Sequence, residues 1–163
     1  SLVGSEMCIR DSPSTINRKA SNIIESVMTD ILFEEIREKQ RITYDISVNL
    51  HEYGEFSIFQ IFGELDPNAE DHIDKTIRSL VSSLPSRKSV IFDRVERNIR
   101  QFRFFDLTSQ DICDNAGADV VNYGNIETQV EELQKFRQLK WRDFTEIIDC
   151  LCSKRTVTTM VAP

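Results

Sequence analysis

From Ser21 to Glu38 the apolar residues fall at Ile23, Ile24, Val27, Met28, Ile31, Leu32 and Ile36, the three-and-four spacing of one helical face. Glu25, Ser26, Asp30 and Glu34 take the opposite face, so the pattern predicts an amphipathic helix that packs by one side. At Ile42 the period drops to two. Ile42, Tyr44, Ile46, Val48 and Leu50 alternate with Thr43, Asp45, Ser47 and Asn49, which predicts a strand with one buried face. The segment from His51 to Glu55 contains Gly54 and reads as a turn. A second strand over Phe56–Leu65 then completes an antiparallel hairpin.

Asp66-Pro67-Asn68 ends that strand and starts a helix whose apolar positions are Ala69, Ile73, Ile77, Leu80, Val81 and Leu84. A further helical pattern uses Phe92, Val95, Ile99 and Phe102. Another begins near Thr108, where hydroxyl and carboxylate groups can cap free amides, and runs to a stop at Gly124. Shorter helices are expected around Glu127–Gln138 and Arg142–Cys152. Thr156–Val161, rich in β-branched residues, reads as a closing strand. Helix, hairpin, several helices and a strand make an α+β layout, a mainly antiparallel sheet covered by helices on one face. Three strands are few for so many helices, and the expectation is a sheet lacking its first strand.

At 163 residues the chain suits one domain with a real core. A net charge of −7 argues against a general nucleic-acid binder. No apolar run approaches the ~20 residues that would span a bilayer, and no signal layout opens the chain. Nothing selects cytoplasm, periplasm or mitochondrion. Four cysteines, Cys8, Cys113, Cys150 and Cys152, lack a paired C-x-x-C spacing and read as free thiols.

Residues 1–14 are expected to be a disordered leader. Residues 1–12 have no periodicity and look like a translated sequencing-adaptor read-through, which would make Cys8 foreign and place the true chain further upstream.

Phe33-Glu34-Glu35-Ile36-Arg37-Glu38-Lys39 followed by Ile42-Thr43-Tyr44 resembles the pitrilysin/insulinase family of zinc metallopeptidases. The likeness continues in Phe56-Ser57-Ile58, in Asp66-Pro67-Asn68-Ala69-Glu70, in Tyr123-Gly124-Asn125 and in Thr156–Pro163, so it covers residues 15–163. It implies a half-domain of the LuxS/processing-peptidase-like metallohydrolase fold. The family usually has glycine two or three residues before the tyrosine, where this chain has Arg41, Ile42 and Thr43. Zinc in such enzymes sits on an inverted H-x-x-E-H motif, in which two histidines four apart face one metal and the glutamate activates water. That motif is absent here, so the resemblance implies a C-terminal domain with no cofactor of its own, zinc being held in the full-length enzyme. The zinc-binding half would be joined in cis or be a partner subunit, and the substrate a peptide. Val161-Ala162-Pro163 looks like the end of a half, which favours a fourth domain over a second.

No catalytic or metal-ligating residue is assigned in this chain. The resemblance implies that Arg37 and Tyr44 are substrate-binding residues lent to the cleft, where a guanidinium and a phenol face developing negative charge. Pattern alone also allows Arg37 to favour a helix C-terminus and Tyr44 to face a core. His51 reads as a turn residue and His72 as a solvated helix residue. Arg94, Arg97, Arg100 and Arg103 read as a solvated face, and Glu52, Glu55 and Glu64 as surface hairpin charges. The alternative function is a non-catalytic structural or assembly subunit of the same family, like those of processing peptidases and respiratory-complex cores. An unrelated α+β binding module is disfavoured by the alternation joined to the Arg37–Tyr44 junction.

Overall fold

The computed structural model describes residues 2–9, 18–41, 43, 46–53, 56–64, 70–101, 113, 116–117, 120–121, 124, 126, 128–153 and 156–161. Among the described residues four strands form one antiparallel sheet: β1 (Leu2–Ile9), β2 (Ile46–Tyr53), β3 (Phe56–Glu64) and β4 (Thr156–Val161). Their order is β2-β3-β1-β4. The register of the hairpin runs from Ile46↔Gly63 through Val48↔Ile61 and Leu50↔Phe59 to Tyr53↔Phe56. Ile46, Val48, Phe59 and Ile61 therefore share one face, and all four are buried.

Helices cover that face. They are α1 (Arg18–Leu32), α2 (Glu70–Ser83), α3 (Lys88–Gln101), α4 (Gln129–Gln138) and α5 (Trp141–Ser153). The first lies over β2, and α5 packs against β1. The stripe Ile23, Ile24, Val27, Met28, Ile31, Leu32 is buried as its spacing requires. Phe144, Ile147, Ile148 and Leu151 of α5 sit at the same spacing and are no more than 1% exposed. Full burial of side chains of that size is worth about 1.5–3 kcal/mol each, so α1 and α5 supply a large share of the core. The α+β class with an antiparallel, one-side-covered sheet is the observed architecture.

Several expectations change. The leader is not disordered over its whole length, and the strand position expected to be missing is filled: Leu2–Ile9 pairs with β3 on one side and β4 on the other. The physical reason is that ladder bonds are made by backbone, so a segment without side-chain periodicity can satisfy the donors and acceptors of two flanking strands. The same tolerance leaves the adaptor-like look of residues 1–12 untouched. His51 is not in a turn, because β2 continues through it to Tyr53. Thr43 lies outside any strand and is buried rather than solvent-facing.

Glu25 departs from its expected place as well. It is half-buried, and its Oε1 accepts the amide of Leu50 at 2.7 Å. Among the described residues β2 is an edge strand whose outward N–H groups have no ladder partner, and a carboxylate from the overlying helix supplies one. Arg94 is likewise half-buried and ion-paired with Asp30 of α1, where burial and the neighbouring Arg97 charge press its pKa down. Arg97 and Arg100 remain exposed, and Arg103 lies outside the described residues. The expected stop at Gly124 is present. Its φ is +67° and its amide donates to the Val120 carbonyl at 2.9 Å, which suits the residue without a Cβ.

Candidate functional site

The helix begun at Arg18 does not end as an α-helix. From Phe33 to Lys39 it widens into a π-turn, capped at Gln40. The Gln40 amide donates five residues back to the Glu35 carbonyl at 3.1 Å. Such a segment adds a residue to the turn, is rare, and is found frequently at functional sites. Here it keeps Ile36 fully buried, as Leu32 is one turn earlier, while Arg37 emerges exposed.

The Arg37 guanidinium stacks over the Phe33 ring at 4.4 Å from its centroid, and among the described residues it makes no ion pair with a carboxylate. Glu34 and Glu35, the carboxylates on the preceding turn, are engaged elsewhere. Lys39 Nζ lies 3.0 Å from Glu34 and 3.1 Å from Glu35. The Lys39 hydrogen bond, then that of Gln40, holds the Glu35 carboxyl below its usual range, while Glu34 and Glu35 together raise Lys39. Glu34 and Glu35 thus share one lysine, and the arginine keeps its donors free of carboxylates among the described residues.

Beyond the cap the chain turns sharply. Arg41 has a φ of +55°, the left-handed region that glycine adopts without steric cost. Tyr44, the second candidate residue, lies outside the described residues, as do Ile42 and Asp45.

The junction is tied to α2 through a route the sequence pattern did not show. Gln40 Nε2 donates to Glu35 Oε1 at 3.3 Å, and Gln40 Oε1 faces His72 Nε2 at 3.0 Å. Glu35, Gln40 and His72, with Lys75, Thr76, Ser79 and Leu80, line an open cleft between the π-turn and α2. Only the Glu35–Lys39 link, four apart on a helix, was readable from spacing. His72 is exposed as expected of a solvated helix residue, yet it is partnered. His51 lies half-buried on the sheet face opposite Val48, bonded to Gln60 at 3.0 Å, among half-buried Ile58 and Phe62.

The described residues offer no ligand set for a catalytic zinc. His51 and His72 are the chain's two histidines, and no H-x-x-E-H occurs in the sequence. Among the described residues no three His, Cys, Asp or Glu side chains gather at metal-binding distance. The thiols do not alter this. Cys150 is half-buried, Cys113 and Cys152 are exposed, and burial, then Asp149, pushes the Cys152 thiol up, away from the reactive thiolate. Glu52 and Glu64 fall in strands with their side chains outside the described set, and Glu55 is not described. Among the described residues no helix is long and apolar enough to cross a membrane.

Comparison with known proteins gives three findings. Residues 17–89 match the family model described as Peptidase M16 inactive domain. No curated protein sequence matches the chain. Among solved structures, the periplasmic protease PqqL from Escherichia coli aligns with a TM-score of 0.77 at 14% identity, over 96% of this chain and 18% of that one. A protease from Helicobacter pylori aligns at 0.75 and 16% identity, over 96% of this chain and 40% of that one. A conserved protein from Enterococcus faecalis V583 aligns at 0.69 and 11% identity, over 92% of this chain and 37% of that one. The chain thus spans well under half the length of these relatives.

Proposed function

We propose that the chain is a C-terminal, pitrilysin-like domain of the M16 peptidase type, a reading supported by the family match over residues 17–89 and by the fold shared with the solved proteases, and that it forms one wall of a peptide-enclosing cleft and lends Arg37 and Tyr44 to it. The catalytic zinc is then held by another half, joined in cis or present as a partner subunit. That metal would supply the activated water; this chain supplies donors.

The observation that carries the reading is the state of Arg37. It is exposed at the end of a π-turn, stacked on Phe33, and free of carboxylate pairing among the described residues. A guanidinium presented this way has its fork of N–H groups available for a peptide carbonyl and for the oxygen that gains charge in a tetrahedral intermediate. Donors already in place cost no reorganisation when that charge develops. Tyr44, seven residues on, would add a phenolic O–H to the same oxygen.

The test is turnover of the assembled enzyme, zinc-binding half included. Arg37→Ala and Tyr44→Phe should each lower kcat roughly a hundredfold, the size of losing one such donor, with the fold intact by circular dichroism. Unchanged turnover in both removes the role and leaves an assembly subunit as the reading. This chain alone should hydrolyse no peptide. A peptidase activity of the isolated chain that a chelator abolishes would overturn the proposal outright.

A further inference from the structure

We propose that Gln40 is a positioning residue for Arg37, and that His72 on α2 is the clamp that holds Gln40 in place. The inference rests on the reading of Arg37 and Tyr44 as cleft residues and extends it to two residues that touch no substrate.

Gln40 stands at the point on which the presentation of Arg37 depends. Its amide makes the five-residue bond to Glu35 that ends the π-turn, so it sets which way Arg37, three residues earlier, emerges. It is also the last residue before Arg41, which holds a left-handed backbone. A shift of Gln40 moves Arg37.

The side chain is held in one orientation by the chemistry of its partners. Glu35 is an ionised carboxylate and only accepts, so the Gln40 end facing it at 3.3 Å is the amide nitrogen. The end facing His72 at 3.0 Å is then the oxygen, which also only accepts. His72 Nε2 therefore carries a proton. Neutral His72 in this tautomer and fully protonated His72 both donate, so the clamp does not depend on the charge of the imidazole.

Each end of the relay is anchored. Glu35 is pinned by Lys39 at 3.1 Å. His72 stands on a helix seated in the core by Ile73, Ile77 and Val81, none more than 4% exposed. Thr76 Oγ1 donates to the His72 carbonyl at 2.9 Å, so this first turn of α2 is itself braced. Lys39, Glu35, Gln40 and His72 thus form a continuous polar link from the π-turn to a rigid helix, across a break of 32 residues in sequence.

Two measurements test this. The first uses this chain: the imidazole nitrogens of His72, read by 15N NMR, should show Nε2 protonated throughout the neutral range, and Gln40→Leu should shift the Nε2 resonance. An Nδ1–H tautomer, or no response to Gln40→Leu, overturns the relay whatever the chain does. The second uses the assembled enzyme. Gln40→Leu and His72→Phe should each lower kcat about tenfold or more, as misplacement remote from the chemistry can, with KM within about twofold. His72→Gln, whose amide N–H can donate to the same oxygen, should restore most of the loss. A merely structural role would show as lost stability without that rescue. If Arg37→Ala and Tyr44→Phe lower turnover while Gln40→Leu and His72→Phe do not, the positioning inference alone falls. If none of the four matters, the cleft reading falls and takes this inference with it.

Discussion

Arg37 rests its guanidinium 4.4 Å from the centre of the Phe33 ring, one helical turn before it. A long, exposed arginine otherwise samples many rotamers, and ordering it costs entropy. The aromatic face narrows that choice before any substrate arrives. Phe33→Leu keeps bulk and removes the π-face. The expected result is a roughly threefold loss in kcat/KM of the assembled enzyme, the scale of an exposed cation–π contact. The melting temperature should barely move. A loss as large as that of Arg37→Ala would mean Phe33 itself contacts substrate.

Arg41 holds a left-handed backbone that costs a non-glycine residue about 1–2 kcal/mol. Glycine removes this strain and gives some of the gain back through the greater freedom of the unfolded chain. Arg41→Gly should therefore stabilise by about 0.5–1 kcal/mol, seen as a higher urea midpoint with an unchanged slope. Arg41→Val should do the reverse, since a β-branched side chain suits a positive φ least. A lower midpoint for Arg41→Gly would show that the arginine side chain contributes more than the strain removes.

These two positions mark where the sequence stops being readable. The stripe Ile23 to Leu32 and the quartet Phe144, Ile147, Ile148, Leu151 announce helices because burial of one face repeats at the helical period. The alternation Ile46, Val48, Leu50 announces β2 for the matching reason. β1 was not legible, because its pairing is made by backbone and its side chains carry no period. The π-turn was not legible either, as a single extra residue in a turn leaves the apolar spacing of Leu32 and Ile36 unchanged. Arg37 was found by resemblance. The Gln40–His72 link is not legible, and His72 reads only as a solvated helix residue, because a contact 32 residues apart between two polar side chains has no local signature. Glu25 was misjudged because polar faces are usually solvated, whereas this one overlies an unpaired strand edge.

The Glu25–Leu50 bond has its own consequence. A charge-assisted bond to an edge amide is worth more than a neutral one, and losing it strands the N–H. Glu25→Ala should cost about 1.5–3 kcal/mol and speed hydrogen exchange at the Leu50 amide well beyond its neighbours. Glu25→Gln keeps an acceptor oxygen and should cost less than half of that. Equal protection at Leu50 in wild type and Glu25→Ala would show that the strand edge does not rely on this carboxylate.

The start of α4 carries a pH dependence whose sign is fixed by its hydrogen bonds. Thr128 Oγ1 accepts the Glu131 amide at 3.3 Å, and Glu131 Oε2 accepts the Thr128 amide at 2.8 Å, a reciprocal capping box. The Thr128 backbone bond, then its hydroxyl, holds the Glu131 carboxyl below its ordinary value of 4.5. A depressed carboxylate contributes stability that is fully present above the ordinary value and lost as pH falls through the folded value. Acidification from pH 5 should therefore loosen α4 from its N-terminus. Trp141, the single tryptophan, packs 6.4 Å from Phe92 and 6.2 Å from Phe144 just beyond that helix, and its fluorescence reports the event. The difference between wild type and Glu131→Gln isolates the capping carboxylate, because the glutamine keeps an acceptor and has no proton to gain. Expected is a steeper loss of melting temperature for wild type than for Glu131→Gln as the pH drops below 4.5. Thr128→Ala should cost about 1 kcal/mol at neutral pH and flatten the same acid dependence. Parallel curves for wild type and Glu131→Gln would show that the capping carboxylate does not set the acid stability of α4.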